Sequence, residues 1–271
     1  MSMPDYPCWE DLIDNLMKAC NYMQPIDDGV TLAAVAGRIK ARDPDAYWQA
    51  LRGQFMRQEH PRSVHRYHLL ARISFASYVT TNFDPLLLDT LHLHRNVVHS
   101  EYSWLPSGRH GNQELFFIHG RIDPEQPAGT QPKIVLTEAE YEDAYDASRS
   151  KLSAFLQDTL TENHVCFLGC GLNDECLKRV FRICKYIRQS IWGLDKPNPP
   201  QWFAVVDEDH KLPTDFESEC GIRIVKYPRS EFQFDGLDQL LQHFARVERP
   251  RMRKATERRA DTFLADQEVR R

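Results

Sequence analysis

Short apolar strands alternate with amphipathic helices over most of the chain, and this alternation constrains the fold more than any other feature. Apolar strands separated by helices are typical of a parallel sheet that is covered on both faces. We therefore predict an α/β fold with a Rossmann-like parallel sheet and helices on both of its faces. The predicted strands are residues 76–81, 96–99, 115–118, 165–168, 202–206 and 222–227.

The first 74 residues have helical rather than strand periodicity. Apolar side chains recur at helical spacing from Trp9 onward, and two further helical stretches are predicted at about 31–56, with a break near Asp43, and 63–74. We expect one domain over residues 1–246, with a helical portion at about 9–74 and a Rossmann-like portion at about 75–246. Residues 247–271 carry eight basic and five acidic side chains, which predicts a charged C-terminal tail.

Composition argues against several classes of protein. Hydrophobic residues make up 42% of the chain, but no apolar run approaches the ~18 residues that cross a bilayer. No basic stretch followed by an apolar one marks a signal peptide. The net charge of −5 does not favour nucleic-acid binding. We therefore expect a cytoplasmic protein with no membrane contact and no direct contact with nucleic acid.

Three of the predicted strands run into polar or glycine-containing sequence. The first is followed by Thr81-Asn82-Phe83-Asp84, the third by His119-Gly120, and the fourth by Gly169-Cys170-Gly171-Leu172-Asn173-Asp174. Open α/β sheets bind ligands at the carboxyl ends of their strands. The candidate site is therefore expected where these three segments meet.

Each of these segments also has a structural explanation. Asp84 precedes a proline and would cap the next helix, although capping does not account for Asn82. His119 could be a hydrogen-bonded structural histidine or a general base near neutral pH. Asn173 or Asp174 could cap a helix after a tight turn, or the turn could approach a ribose or phosphate.

Taken in order, the motifs resemble the sirtuin-like domains of bacterial anti-phage defence proteins. The resemblance extends over about residues 7–246 and implies a sirtuin-like fold. It also implies hydrolysis of NAD rather than deacylation of proteins. The residues that carry it are PCWEDL at 7–12, TTNFD at 80–84, HG at 119–120, PKIVLTEAEY at 132–141 and FLGCGLND at 167–174.

The cysteine pattern separates this chain from the deacetylase sirtuins, which resemble it but carry a four-cysteine zinc module after the HG motif. The segment 121–162 contains no cysteine, and none of the seven cysteines forms a CxxC pair. Zinc sites of that kind need closely spaced thiolates. We therefore expect no metal, and zinc in particular is not expected.

The resemblance implies roles for individual residues, with NAD as the substrate. Cleavage of the nicotinamide–ribose bond passes through an oxocarbenium-like state, as in glycoside hydrolysis. Asn82 would bind the ribose or orient the attacking water, and His119 would accept a proton from a ribose hydroxyl or the water. Asp84 would contact the nicotinamide carboxamide. The full set of expected NAD-binding residues is Thr81, Asp84, Gly169, Cys170, Gly171 and Asp174.

The start of the sequence departs from the family pattern. A strand and GAGxS loop that hold the pyrophosphate should lie just before Pro7, and no glycine occurs before Gly29. We expect from this a shortened N-terminus and reduced activity. Two alternatives stay open: a catalytically silent NAD- or ADP-ribose-binding or assembly module, and a Rossmann oxidoreductase, which the absent third glycine disfavours. Expected partners are a second copy of the chain or a companion defence protein.

Overall fold

The computed structural model describes residues 6–24, 29–56, 64–94, 97–101, 113–123, 131–146, 150–170, 172, 174–192, 200–228 and 236–246. Within these ranges, four helices precede the first strand, and strands then alternate with helices. The elements are α1 (Trp9–Ala19), α2 (Leu32–Arg42), α3 (Pro44–Gln54), α4 (Val64–Ala71), β1 (Ser77–Thr80), α5 (Leu86–His94), β2 (Val97–Glu101), β3 (Gln113–Phe117), α6 (Glu138–Tyr145), α7 (Lys151–Glu162), β4 (Val165–Leu168), α8 (Glu175–Trp192), β5 (Trp202–Asp207), α9 (Phe216–Cys220), β6 (Ile222–Tyr227) and α10 (236–246).

Local capping explains where the N-terminal helices begin. The Thr31 side chain accepts a hydrogen bond from a backbone N–H in the first turn of α2. The Asp43 side chain does the same for α3, and Pro44 occupies the first position of that helix. Proline tolerates that position because its missing N–H would have no partner there. Helices α1–α4 lie within the predicted helical portion, and α2 and α3 meet at Asp43, where a break was predicted.

The six strands form two three-stranded sheets in which every strand pair is parallel. The strand order is β1–β3–β2 in one sheet and β4–β5–β6 in the other. Parallel pairing was predicted and is confirmed. A single continuous sheet was expected, but among the described residues β1 bonds only to β3 and β4 only to β5, so the strands form two separate three-stranded sheets.

Alternating side chains of the central strand β3 enter two different hydrophobic clusters. Leu115 and Phe117 pack with the N-terminal helices α1–α3, whereas Phe116 and Ile118 pack with α7 and α8. Strand β5 shows the same alternation, with Ala204 in the second cluster and Val205 against α10. Helices therefore cover both faces of these strands, and this explains their continuous apolar sequence.

The last described helix, α10, closes the core on the side of β5. Leu237 and Leu241 are buried there, and Arg66 of α4 forms an ion pair with Asp238 at 2.7 Å. Of the helices that the structure describes, none combines the length and apolar character needed to span a bilayer. The predicted tail at 247–271 lies outside the described residues.

Candidate functional site

Asn82 and His119 occupy equivalent positions after two neighbouring strands. Thr80 of β1 lies opposite Phe117 of β3 in the parallel ladder, and the Ile118 backbone N–H donates to the Thr80 carbonyl at 2.9 Å. Each predicted site residue follows its paired residue by two positions. The structure therefore brings these two strand ends together at one edge of the sheet, as the sequence predicted.

The Asn82 side chain has a partner that the sequence did not indicate. Its Nδ2 donates to the hydroxyl of Tyr67 on α4 at 3.4 Å, and its backbone N–H donates to Thr80 Oγ1 at 3.1 Å. Tyr67 is buried, whereas Thr81 and Asn82 are half-buried. A contact between Asn82 and a ribose or a water molecule stays a prediction.

Asp84 is buried and caps the helix that follows it. Its Oδ1 accepts a hydrogen bond from the Leu86 backbone N–H at 3.1 Å, at the beginning of α5. The capping explanation offered by the sequence is therefore observed. A contact between Asp84 and nicotinamide stays a prediction.

The His119 imidazole is buried at the end of β3, with 4% of its surface exposed. The His119 backbone carbonyl accepts a hydrogen bond from the Val135 backbone N–H at 2.9 Å. The ring atom Nε2 lies 2.8 Å from the hydroxyl of Tyr145. Burial lowers the pKa of His119 to about 3, because the charged imidazolium loses its hydration. His119 is consequently neutral over the physiological pH range.

Two tyrosines of α6 pack around the His119 ring. Tyr141 and Tyr145 are four residues apart, so they lie on the same face of the helix, where their rings stack with centroids 5.9 Å apart. Both rings meet the imidazole edge to face, at 5.2 and 5.9 Å. Burial, together with the Asp174 carboxylate, raises the pKa of both tyrosines. The sequence singled out neither tyrosine as a site residue.

A capping box positions α6 and its two tyrosines. The Thr137 side chain accepts from the Glu140 backbone N–H, while the Glu140 carboxylate accepts from the Thr137 backbone N–H at 2.8 Å. The other Glu140 oxygen forms an ion pair with Lys40 of α2 at 2.6 Å. The ion pair ties α6 to the helical portion.

The glycine-containing turn after β4 has the backbone conformation that glycine permits. Gly169 has a φ of 63°, and Leu172 adopts φ 54°, which is unusual for a bulky residue. Asp174 Oδ1 accepts from the Leu177 backbone N–H at 3.0 Å and caps α8. Burial raises the pKa of the Cys170 thiol to about 11, so it stays protonated. Gly171 lies outside the described residues.

The glycine turn and the end of β3 belong to the same hydrophobic cluster. Ile118, Leu172, Cys170 and Tyr145 all pack there, and Asp174 acts electrostatically on Tyr145. The tyrosines of α6 therefore connect the His119 segment with the Asp174 segment. The sequence predicted both segments but did not indicate that the tyrosines of α6 link them.

A cavity of about 500 Å³ lies between α2, α3, α6 and the start of α7. Its lining includes Ile118 and Ala144, the chain neighbours of His119 and Tyr145, together with Lys40 and Trp48. None of the predicted site residues that the structure describes lines it. This cavity is therefore adjacent to the candidate site rather than part of it.

Possible metal ligands are dispersed in the described part of the chain. It contains no group of three or more His, Cys, Asp or Glu side chains close enough to hold a metal ion. The expectation that the protein works without zinc stays a prediction.

Parallel strands with polar residues collected at their carboxyl ends are the architecture in which open α/β proteins bind nucleotides and related ligands. Residues 76–225, more than half of the chain, match the SIR2-like domain family. The protein therefore belongs to the SIR2-like domain family, and an NAD-related, sirtuin-type function follows from this membership. A search of curated proteins finds no significant match.

Proposed function

We propose that the protein is a zinc-free NAD⁺ glycohydrolase that cleaves the nicotinamide–ribose bond to give nicotinamide and ADP-ribose. The observation that carries this proposal is the placement of Asn82 and His119 at equivalent positions after the neighbouring strands β1 and β3. An amide and a neutral imidazole at one sheet edge supply the two functions that hydrolysis needs. One orients the sugar and the water, and the other accepts a proton.

In this proposal the bond between ribose C1′ and nicotinamide breaks while a water oxygen bonds to C1′. Asn82 binds the ribose or the water through its half-buried amide, and the proton that the water loses goes to His119. Asp84 contacts the carboxamide, with Thr81 beside it. The turn containing Gly169, Cys170, Gly171 and Asp174 faces the adenosine half, where its backbone approaches the sugar closely.

A catalytically silent NAD- or ADP-ribose-binding module is the second candidate, and one observation favours it. The pKa of His119 is lowered to about 3, far below the value near 7 that suits a general base at neutral pH. His119 is also buried under the α6 tyrosines. If NAD binds while His119 stays buried under the tyrosines of α6, the bound NAD would not be hydrolysed.

The open edges of β1 and β4 bear on how NAD is held. Each strand bonds to one neighbour among the described residues, Val79 of β1 is 40% exposed, and all four residues of β4 are half-buried. A glycine-loop strand of the kind that the family resemblance implies would bond to these edges. Its backbone amides would bind the pyrophosphate.

The biological setting of the proposal rests on the resemblance alone. We place the protein in the bacterial cytoplasm, in anti-phage defence, acting as a homo-oligomer or with a companion defence protein. Depletion of NAD on infection would be its effect. Loss of phage resistance in cells carrying His119→Ala, with the protein still expressed, is the expected result.

The test of the activity combines turnover with binding. Purified protein is incubated with NAD⁺, nicotinamide is quantified by chromatography, and NAD⁺ affinity is measured by calorimetry. Asn82→Ala and His119→Ala should each lower turnover about 10²–10³-fold, the usual cost of losing one transition-state contact. His243→Ala, an exposed histidine on α10, is the matched control and should keep wild-type turnover. Binding without turnover in the wild type would favour the silent module.

A further inference from the structure

We propose that Tyr145 is a positioning residue for His119: its hydroxyl oxygen accepts a hydrogen bond from Nε2–H and thereby makes Nδ1 the nitrogen that takes the substrate proton. This inference rests on the proposed function, since it names the atom of His119 that acts. It adds a residue from α6 to a site that the sequence placed only at strand ends. The 2.8 Å distance between Nε2 and the Tyr145 hydroxyl carries it.

The two ring nitrogens of His119 differ in their contacts. A neutral imidazole has one N–H donor and one basic nitrogen, and the partner of one nitrogen determines which of them holds the proton. Nε2 is engaged by Tyr145, whereas Nδ1 has no hydrogen-bond partner in the part of the chain that the structure describes. Nδ1 is thus the nitrogen left to meet a substrate.

The surroundings fix the Tyr145 hydroxyl against His119. The Tyr145 ring stacks on Tyr141, with only 11° between the planes, and the capping box with the Lys40–Glu140 ion pair anchors α6 at the helical portion. The His119 backbone is held by the hydrogen bond from the Val135 N–H to the His119 carbonyl, and its imidazole packs against both tyrosine rings. Ring and hydroxyl therefore meet in one geometry.

The hydrogen bond to Tyr145 also increases the basicity of His119, which burial lowers. When Nδ1 takes a proton from the attacking water or a ribose hydroxyl, the ring becomes an imidazolium that keeps its Nε2–H. A hydrogen bond from a charged donor is about twice as strong as a neutral one, so the Tyr145 oxygen stabilises this cation against the burial that disfavours it. Loss of the hydroxyl should weaken the base further without removing a substrate contact.

Tyr145→Phe tests the inference, with Tyr141→Phe as the matched control. The control removes a hydroxyl from the neighbouring stacked ring, which makes a T-shaped ring contact with His119 at 5.2 Å. For Tyr145→Phe we expect kcat to fall at least about tenfold, KM for NAD⁺ to stay unchanged, and the acid limb of the pH profile to move to lower pH. Tyr141→Phe should keep wild-type values for all three quantities.

Nitrogen-15 NMR of histidine-labelled protein supplies a readout that does not depend on turnover. Wild type should show the His119 proton on Nε2, protected from solvent exchange, and Tyr145→Phe should lose that protection while Tyr141→Phe keeps it. A wild-type proton on Nδ1, or a Tyr145→Phe variant with unchanged exchange and unchanged kcat, would overturn the inference. Absence of NAD⁺ turnover in the wild type would instead count against the proposed function, and the NMR signal would still decide the role of Tyr145.

Discussion

Asn82 and His119 each lie two residues beyond a directly opposed pair, Thr80 and Phe117, in the parallel strands β1 and β3. The backbone hydrogen bond from Ile118 to Thr80 continues the ladder past the last pair. The two residues therefore derive their relative position from the paired strands that directly precede them. This rigidity is what a site needs when an amide and an imidazole act on one substrate.

The buried imidazole predicts how stability depends on pH. The folded pKa of His119 is about 3 and the ordinary value is 6.5, so below pH 6.5 the unfolded chain binds a proton that the folded chain does not. Stability is therefore fully present above pH 6.5 and is lost as the pH falls toward 3, by about 1.4 kcal/mol per pH unit. Urea unfolding at pH 7, 6 and 5 should show this loss in wild type.

His119→Ala is the comparison that isolates this contribution, since the other histidines are common to both proteins. The variant should lose less free energy of unfolding between pH 6.5 and 5 than wild type does. Parallel pH dependences for the two proteins would show that His119 titrates normally in the folded state.

The Glu140 carboxylate should stabilise the protein near neutral pH. Burial tends to raise its pKa, but hydrogen bonds from Lys40 and from backbone N–H groups outweigh burial and hold the pKa below 4.5. Glu140→Ala should cost about 1–2 kcal/mol of unfolding free energy at pH 7. The difference from wild type should shrink as the pH falls through the folded pKa, where the wild-type carboxylate is protonated.

Glu138→Ala controls for this substitution, because Glu138 is an exposed acidic residue of the same first helical turn. It should change the free energy of unfolding by less than about 0.5 kcal/mol. Equal effects of the two substitutions would mean that the capping box and ion pair contribute nothing specific.

Two truncations of the C-terminal part of the chain, on either side of α10, should have very different effects on stability. Removing residues 247–271 should leave the melting temperature nearly unchanged, as expected for a solvated charged segment. Removing residues 236–271 should lower the free energy of unfolding by at least about 3 kcal/mol. This truncation removes the buried side chains of Leu237 and Leu241, exposes the core surface on which they pack, and breaks the Arg66–Asp238 ion pair. A large loss of stability with the shorter truncation would show that the tail packs on the core.

Zinc should be absent from the purified protein and without influence on it. We expect metal analysis to give well below one zinc per chain, and chelators to leave both melting temperature and turnover unchanged. The physical reason is the lack of closely spaced thiolates in the sequence. One zinc ion per chain that is released when the protein unfolds would contradict the expectation.

The sequence predicted what depends on local pattern. Short apolar runs located the strands and helical spacing located most of the helices. Asp84 and Asp174 were recognised as possible caps because capping acts over two or three residues. Because parallel strands end at the same edge of a sheet, the sequence also predicted that the segments containing Asn82 and His119 lie at one edge. The SIR2-like match at 76–225 agrees with the resemblance inferred from the motifs.

Contacts between distant helices and strand ends could not be predicted. Tyr67, which binds the Asn82 amide, is 15 residues away on α4, and Tyr145, which contacts His119, is 26 residues away on α6. Nothing in a helical apolar pattern distinguishes a tyrosine that meets a site from one that fills a core. The division of the described strands into two sheets was also not predicted, because strand order depends on pairing that a linear pattern does not encode.

The product balance of NAD⁺ treated with the purified protein is the most direct test of the proposed NAD⁺ hydrolysis. Nicotinamide and ADP-ribose are quantified together by chromatography over time, with His119→Ala in parallel. The account predicts that the two products appear in equal amounts with wild type and that His119→Ala produces them at least about 10²-fold more slowly. Unchanged NAD⁺ in the wild-type reaction, or equal rates for wild type and His119→Ala, would contradict it.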